Sequence, residues 1–198
     1  MQRQPTRVRI VDAAHQLMLT IGLARATTKE IARAVGCSEA ALYKYFASKE
    51  ELFVTVLRER LPGLTPLLDR LAADPGERTV EENLTEIARR AALFYAETFP
   101  IAASLYADPR LKLRHFEGLR ELGDGPHMPI RGLDAYLRAE QAAGRIRAGA
   151  DTYAAASLLL GACAQRAYAY DMSEDGRPPH PVDEFAASIA RTLLAGIA

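Results

Sequence analysis

Cysteine is nearly absent from this sequence. Cys37 and Cys163 are the only two in 198 residues, far apart and without metal-type spacing. That scarcity excludes a disulfide framework and points to a reduced, cytoplasmic protein. No apolar run approaches the roughly 18 residues needed to cross a bilayer, so no membrane partner is expected. The stretch MQRQPTRVRIVDAAHQ has basic residues but no uninterrupted apolar segment before a cleavage site, so no signal peptide is expected either. Also missing are a glycine-rich phosphate cradle, a G-x-S-x-G turn and an H-E-x-x-H pair. His115 and His127 read as surface or loop histidines, and neither has a partner at metal-ligand spacing. No catalytic residue, cofactor or metal is therefore expected. Strand-like alternation never persists, which leaves an all-α chain.

Net charge is absent as well, with 25 basic residues against 25 acidic ones. The distribution is uneven. Residues 1–50 hold eight Lys/Arg and four acids, a balance of +4, and residues 51–198 hold 17 and 21, a balance of −4. A basic head on an acidic body suggests a polyanion at one end.

What is present is helical periodicity, in a chain 49% apolar. Ile10, Ala14, Leu17, Met18 and Ile21 form one amphipathic stripe, and Gly22 is placed to end that helix. Thr27 with Glu30, and Ser48 with Glu51, have capping-box spacing. From Lys49 a helix runs toward Pro62 with Leu52, Phe53 and Val56 on its buried side, then resumes or kinks through Leu64, Leu67, Leu68 and Leu71. After the DPGERT break, Val80 to Phe99 reads as a helix surrounded by others. Further helices are predicted near 101–107, 109–122, 129–143, Thr152 to Asp171 and Val182 to Ile197. The predicted domains are 1–50 and 51–198.

The densest stretch is TTKEIARAVGCSEAALYKYFASKEEL, from Thr27 to Leu52. Thr28 to Val35 makes a two-turn helix, and Gly36 can take the left-handed conformation that stops it. Ser38 caps a second helix, Glu39 to Tyr45, whose Leu42 and Phe46 turn inward. Helix, glycine turn, helix is the geometry that offers the second helix to a major groove. Ala40 and Ala41 are small enough for close approach to base edges. Tyr43, Lys44, Tyr45 and Lys49 place hydroxyls and ammonium groups where phosphate oxygens would lie. Glu39 repels phosphate, but suits the helix dipole and could accept from a cytosine amine. On spacing alone, a short helix pair inside an ordinary bundle explains the pattern equally well.

The T-x-E-I-A opening, the glycine turn, the Ser cap, the L-Y-x-Y-F ending and the S-K-E-x-L start together resemble the DNA-binding signature of the TetR/AcrR family of transcriptional regulators. The match covers roughly residues 7–53. Cys37 departs from it, standing where the family has an aliphatic residue and packing as a small hydrophobe. The resemblance implies a three-helix helix-turn-helix domain followed by a helical ligand-binding and dimerisation domain. It implies DNA contacts at Thr27, Thr28, Lys29, Ser38, Glu39, Ala40, Ala41, Tyr43, Lys44, Tyr45 and Lys49. It further implies a homodimeric regulator, a repressor by the family's habit, released from a palindromic double-stranded operator by a small molecule.

The rest of the sequence agrees on its own terms. Small residues along Thr152 to Asp171, with Leu158, Leu159 and Leu160, and the apolar line of the last helix suit an intersubunit four-helix bundle or an intramolecular core. Candidate residues for a largely apolar ligand are the aromatic or amphipathic ones of the central helices: Phe94, Tyr95, Phe99, Tyr106, Phe116, Tyr136, Gln165 and Tyr168. The helix from Lys49 past Pro62 is the expected reporter of pocket occupancy. The alternative is a helical small-molecule-binding protein or enzyme without DNA binding.

Overall fold

The computed structural model describes residues 5–60, 63–171 and 178–197. Among them every regular element is a helix: α1 (Thr6–Arg25), α2 (Thr28–Val35), α3 (Glu39–Leu42), α4 (Lys49–Glu59), α5 (Leu64–Ala73), α6 (Val80–Tyr106), α7 (Pro109–Glu121), α8 (Met128–Ala142), α9 (Thr152–Asp171) and α10 (Val182–Ile197). The chain divides into two compact units. One is Met1–Leu61 with Glu97–Gly125, and the other is Pro62–Ala96 with Pro126–Ala198.

Local chemistry sets the starts and stops of the first unit. Thr27, Ser38 and Ser48 each accept a hydrogen bond from a backbone N–H three residues on, at 3.2, 3.1 and 3.0 Å. Each supplies one of the acceptors that a helix start lacks. Gly36 ends α2 with φ +73°, which an L side chain would resist. Glu30 does not close its capping box; its carboxylate pairs with Arg33 instead.

Gly22 bends α1 rather than ending it. At φ 76° and ψ 158° it breaks the helical path, and a last turn continues to Arg25. The bend puts Leu23 into the core and leaves Ile21 38% exposed, so the expected stripe changes line at its last member. The core of this unit joins Ile10, Ala14, Met18 and Leu23 to Ile31, Leu42, Phe46, Leu52 and Val56. Ile101, Leu105 and Leu119 complete it from much later in the sequence.

α6 corrects a second expectation. The sequence reads as a helix to Phe99 and another near 101–107, because proline removes an N–H and crowds the preceding turn. The structure keeps one helix through Pro100. Ala96, whose carbonyl loses its donor, is exposed, where solvent can serve that carbonyl. The residues of α6 up to Ala96 belong to the second unit and those from Glu97 to the first. Thr79 opens this helix with a reciprocal box: its N–H donates to Glu82 Oε2 at 2.8 Å, and Glu82 N–H donates to its hydroxyl at 3.2 Å.

The second unit packs α5, α8, α9, α10 and the first part of α6 around Leu68, Leu71, Leu84, Ile87, Leu133, Tyr136, Leu137 and Leu159. Cys163 lies in this core with its thiol pushed up to about 12 by burial, a packing residue without thiolate chemistry. Pro62, where a kink is expected, lies outside the described residues.

α5 and α8 meet closely because residue 132 has no side chain. A Cβ there would stand 3.0 Å from Leu68 Cβ. Gly to Ala at an open interior helix position gains up to about 1 kcal/mol. We expect Gly132→Ala to gain nothing, and Gly132→Val to cost about 1–3 kcal/mol by overpacking. Denaturant unfolding of both variants checks this; a stabilised Gly132→Val would contradict the packing described.

Candidate nucleic-acid interface

α3 is one short turn of α-helix, ending at Leu42 rather than Tyr45. Residues 43–45 continue as turns. Leu42 and Phe46 on either side are buried at 0% and 2% exposure. Between them Tyr43 and Tyr45 stand 48% and 45% exposed, with Lys44 exposed as well. Two large aromatics left half in solvent beside a lysine make a face with apolar bodies and polar tips. Ala40 is exposed and Ala41 half-buried, so backbone and methyl groups alone occupy the middle of that face.

Thr28 is not a free surface hydroxyl. It is buried at the start of α2, and its Oγ1 donates to Glu39 Oε1 while lying 3.5 Å from the Tyr43 hydroxyl. One hydroxyl thus ties the first residue of α2 to the first of α3 and to the tyrosine after it. Glu39 keeps its second oxygen for other donors. Thr27 and Ser38 are occupied as caps, and Lys29 is exposed.

Lys49 differs most from its sequence-based role. Its ammonium donates to the Leu23 carbonyl, just past the bend of α1. Burial holds its pKa below the ordinary lysine range, Glu50 opposes that shift, and Arg114 adds to it. Lys49 therefore joins the beginning of α4 to the end of α1. No local sequence signal announces this bond, whose partners are 26 residues apart.

His115, read from the sequence as a surface or loop residue, lies instead within α7 beneath the start of α4, 3% exposed, because its side of the helix packs on Phe53. Its ring meets Phe53 edge-on at 4.8 Å between centroids. Its Nδ1 is 3.9 Å from Glu50 Oε1, too far for a hydrogen bond. α7 carries none of the residues expected from the sequence to contact DNA, because nothing local marks which core an amphipathic helix will enter.

The candidate ligand residues do not form one group. Phe99, Tyr106 and Phe116 belong to the first unit, and Phe94, Tyr95, Tyr136, Gln165 and Tyr168 to the second. Phe94 and Tyr95 pack against the second unit's core with their rings 5.5 Å apart, and burial pushes the Tyr95 hydroxyl up to about 12. Tyr136 is fully buried within it, its hydroxyl raised above the usual range first by burial. Tyr106 is 68% exposed, and Gln165 and Tyr168 are exposed too, against the expectation that they lie inside. Each sits on the outer side of a helix whose opposite side fills the core. Separately, α9 and α10 border an open groove of about 490 Å³ lined by Ala154, Leu158, Ala162, Ile189 and Leu193 among others. Leu158 is 65% exposed there. Among the described residues no cluster of three or more His, Cys, Asp or Glu could hold a metal, and no helix is long and apolar enough to cross a membrane.

Comparison with known proteins bears on the same residues. Residues 10–56 match the family model of the bacterial regulatory proteins, tetR family. The fatty acid metabolism regulator protein of Bacillus subtilis (strain 168) is 23% identical over 204 residues, covering 99% of this chain and 97% of that protein. The HTH-type transcriptional regulator BetI of Rhizobium meliloti (strain 1021) is 33% identical over 105 residues, 52% of this chain and 51% of that one. Among solved structures, FadR from Bacillus subtilis in complex with stearoyl-CoA superposes with a TM-score of 0.65 at 20% identity, covering 96% of this chain and 99% of that one. Salmonella enterica GusR gives a TM-score of 0.66 at 24% identity, covering 98% of each. The two superpositions show a shared fold.

The state of His115 makes a testable prediction. Burial, with Lys49 second, pushes its pKa down to about 4, below the ordinary 6.5. Between those values the unfolded chain takes up a proton that the folded chain refuses. The stability that goes with a neutral His115 is thus complete above about pH 6.5 and is lost as pH falls toward about 4. At about 1.4 kcal/mol per pK unit the loss reaches at most about 3 kcal/mol. Unfolding of wild type and His115→Gln at pH 7 and pH 4.5 checks it: the stability difference between them should shrink at the lower pH. A difference independent of pH would contradict a buried neutral imidazole.

Proposed function

We propose that this chain is a regulator of the tetR type, which binds a palindromic operator as a homodimer and leaves it when a largely apolar ligand of the long-chain acyl type occupies its second unit. The observation that carries the reading is the exposed Tyr43–Lys44–Tyr45 face beside Ala40 and Ala41, held on a capped helix-turn-helix within residues 10–56. Its relatives are regulators, which favours DNA binding over catalysis, and a cytoplasmic setting follows from that role.

The roles divide by chemistry. Tyr43, Tyr45, Lys44 and Lys29 supply hydroxyls and charges for phosphate oxygens, which set affinity and position. Ala40 and Ala41, with the free oxygen of Glu39, meet base edges, which set sequence. Thr27, Thr28, Ser38 and Lys49 hold the turn in shape through the bonds described above.

Self-association is supported by the groove on α9 and α10. An exposed leucine at its rim and a lining of small and aliphatic residues suit two further helices from a second copy, closing a four-helix bundle with two-fold symmetry. The acyl-type ligand is supported by the relative named for fatty acid metabolism, which the chain matches over almost its whole length, and by the fold neighbour solved in complex with stearoyl-CoA. The aromatic residues at the edge of the second unit's core, Phe94 and Tyr95, are our candidates for contact with it. We assign the coupling to the segments in which the chain passes from one unit to the other, the connection from α4 to α5 and α6 itself.

Protection of the DNA upstream of its own gene tests the reading. The footprint should show two half-sites about 34–36 Å apart or a multiple of it, weakening steeply with salt. Tyr43→Phe should weaken binding to all sequences alike, whereas substitutions at Ala40 should change which sequence is preferred. A footprint without two-fold symmetry, or a Tyr43→Phe protein with altered preference and intact nonspecific affinity, would contradict the assignment.

A further inference from the structure

α7 carries its charges in an order that works against its own helix. Its first half holds Arg110, Lys112 and Arg114 with no carboxylate, and its acids Glu117 and Glu121 come later. The amino end of a helix is its positive end, so cations there are unfavourable and acids favourable. Helix stability therefore does not explain these three residues. Lys112 is engaged, its ammonium 5.1 Å above the Tyr106 ring. Arg110 and Arg114 are exposed, and neither meets a carboxylate among the described residues. Asp108 accepts from the backbone N–H of Arg110 at 3.0 Å and serves as a cap.

The path of α7 says where these arginines stand. Glu50, at the start of α4, lies against Gly118, where a Cβ would come within 2.6 Å of Glu50 Cγ. Arg58, near the end of α4, binds Asp124 at 2.9 Å. The middle of α7 thus packs against the first turn of α4, which the chain enters directly after Tyr43, Lys44 and Tyr45. At 1.5 Å per residue Arg110 is about 7–8 Å beyond His115 along the axis. The charge of Arg114 is felt at Lys49.

We propose that Arg110 and Arg114 contact the phosphate backbone of duplex DNA beside the segment read by α3, making α7 a second DNA-facing element. The proposal rests on the DNA-binding reading above. It extends the interface to residues about 70 positions away from the helix-turn-helix. Guanidinium suits the task, because its planar fork matches phosphate oxygens and stays charged at any working pH.

The experiment measures affinity by fluorescence anisotropy between 50 and 200 mM salt. It uses two duplexes of equal length, one from upstream of the protein's own gene and one of unrelated sequence. Arg110→Gln with Arg114→Gln should weaken binding to both alike and lower the salt slope by about two units per subunit on the DNA. Arg110→Lys with Arg114→Lys should restore most of that slope, and Arg120→Gln, at the other end of α7, should leave it unchanged. The melting temperature of the double glutamine variant should be unchanged or higher, since two cations leave the positive end of a helix. An unchanged slope in that variant, or a loss confined to the upstream duplex, overturns this proposal while leaving the DNA-binding reading in place. Wild-type protein that binds neither duplex overturns both.

Discussion

A helix of four residues cannot hold itself in water, because one turn fixes several dihedral angles for a single hydrogen bond. α3 is such a helix, and it carries the face proposed to meet DNA. Its shape is borrowed from its neighbours. Leu42 and Phe46 anchor it in the core, Ser38 caps it, Thr28 ties Glu39 to the start of α2, and Lys49 fixes the next helix to the end of α1. The aromatic and basic tips between those anchors are then presented without freedom to fold away. That pre-ordering lowers the entropy lost on binding.

The anchors reach further than the helix-turn-helix. Ile101 and Leu105 from the end of α6, and Leu119 from α7, complete the core on which α1, α2 and α4 rest. The bend at Gly22 belongs to the same system, since it turns Leu23 inward and presents the carbonyl that Lys49 needs.

What could be read from the sequence follows the range of the forces involved. Caps at Thr27, Ser38 and Ser48 and the left-handed stop at Gly36 act within four residues, and the structure places each as expected. The all-α fold followed from periodicity alone. Pro100 misled because its local cost was met by context that the sequence does not display. The candidate ligand residues scattered between two units because helical spacing tells which side of a helix is apolar, not which core it enters. Lys49 was legible as a charge near the interface, but its acceptor lies 26 residues away and is a backbone carbonyl that no side-chain pattern marks. The part proposed for Arg110 and Arg114 was invisible for the same reason: only folding puts α7 beside α4.

Ligand and DNA, on the function proposed above, compete through the protein. The direct measurement is a titration of stearoyl-CoA into the full chain, with and without saturating upstream duplex. The duplex is expected to weaken stearoyl-CoA binding by roughly 5–150-fold, and stearoyl-CoA to weaken duplex binding by the same factor, because linkage is reciprocal. Equal affinity for stearoyl-CoA with and without the duplex, or no binding of it at all, would contradict the claim.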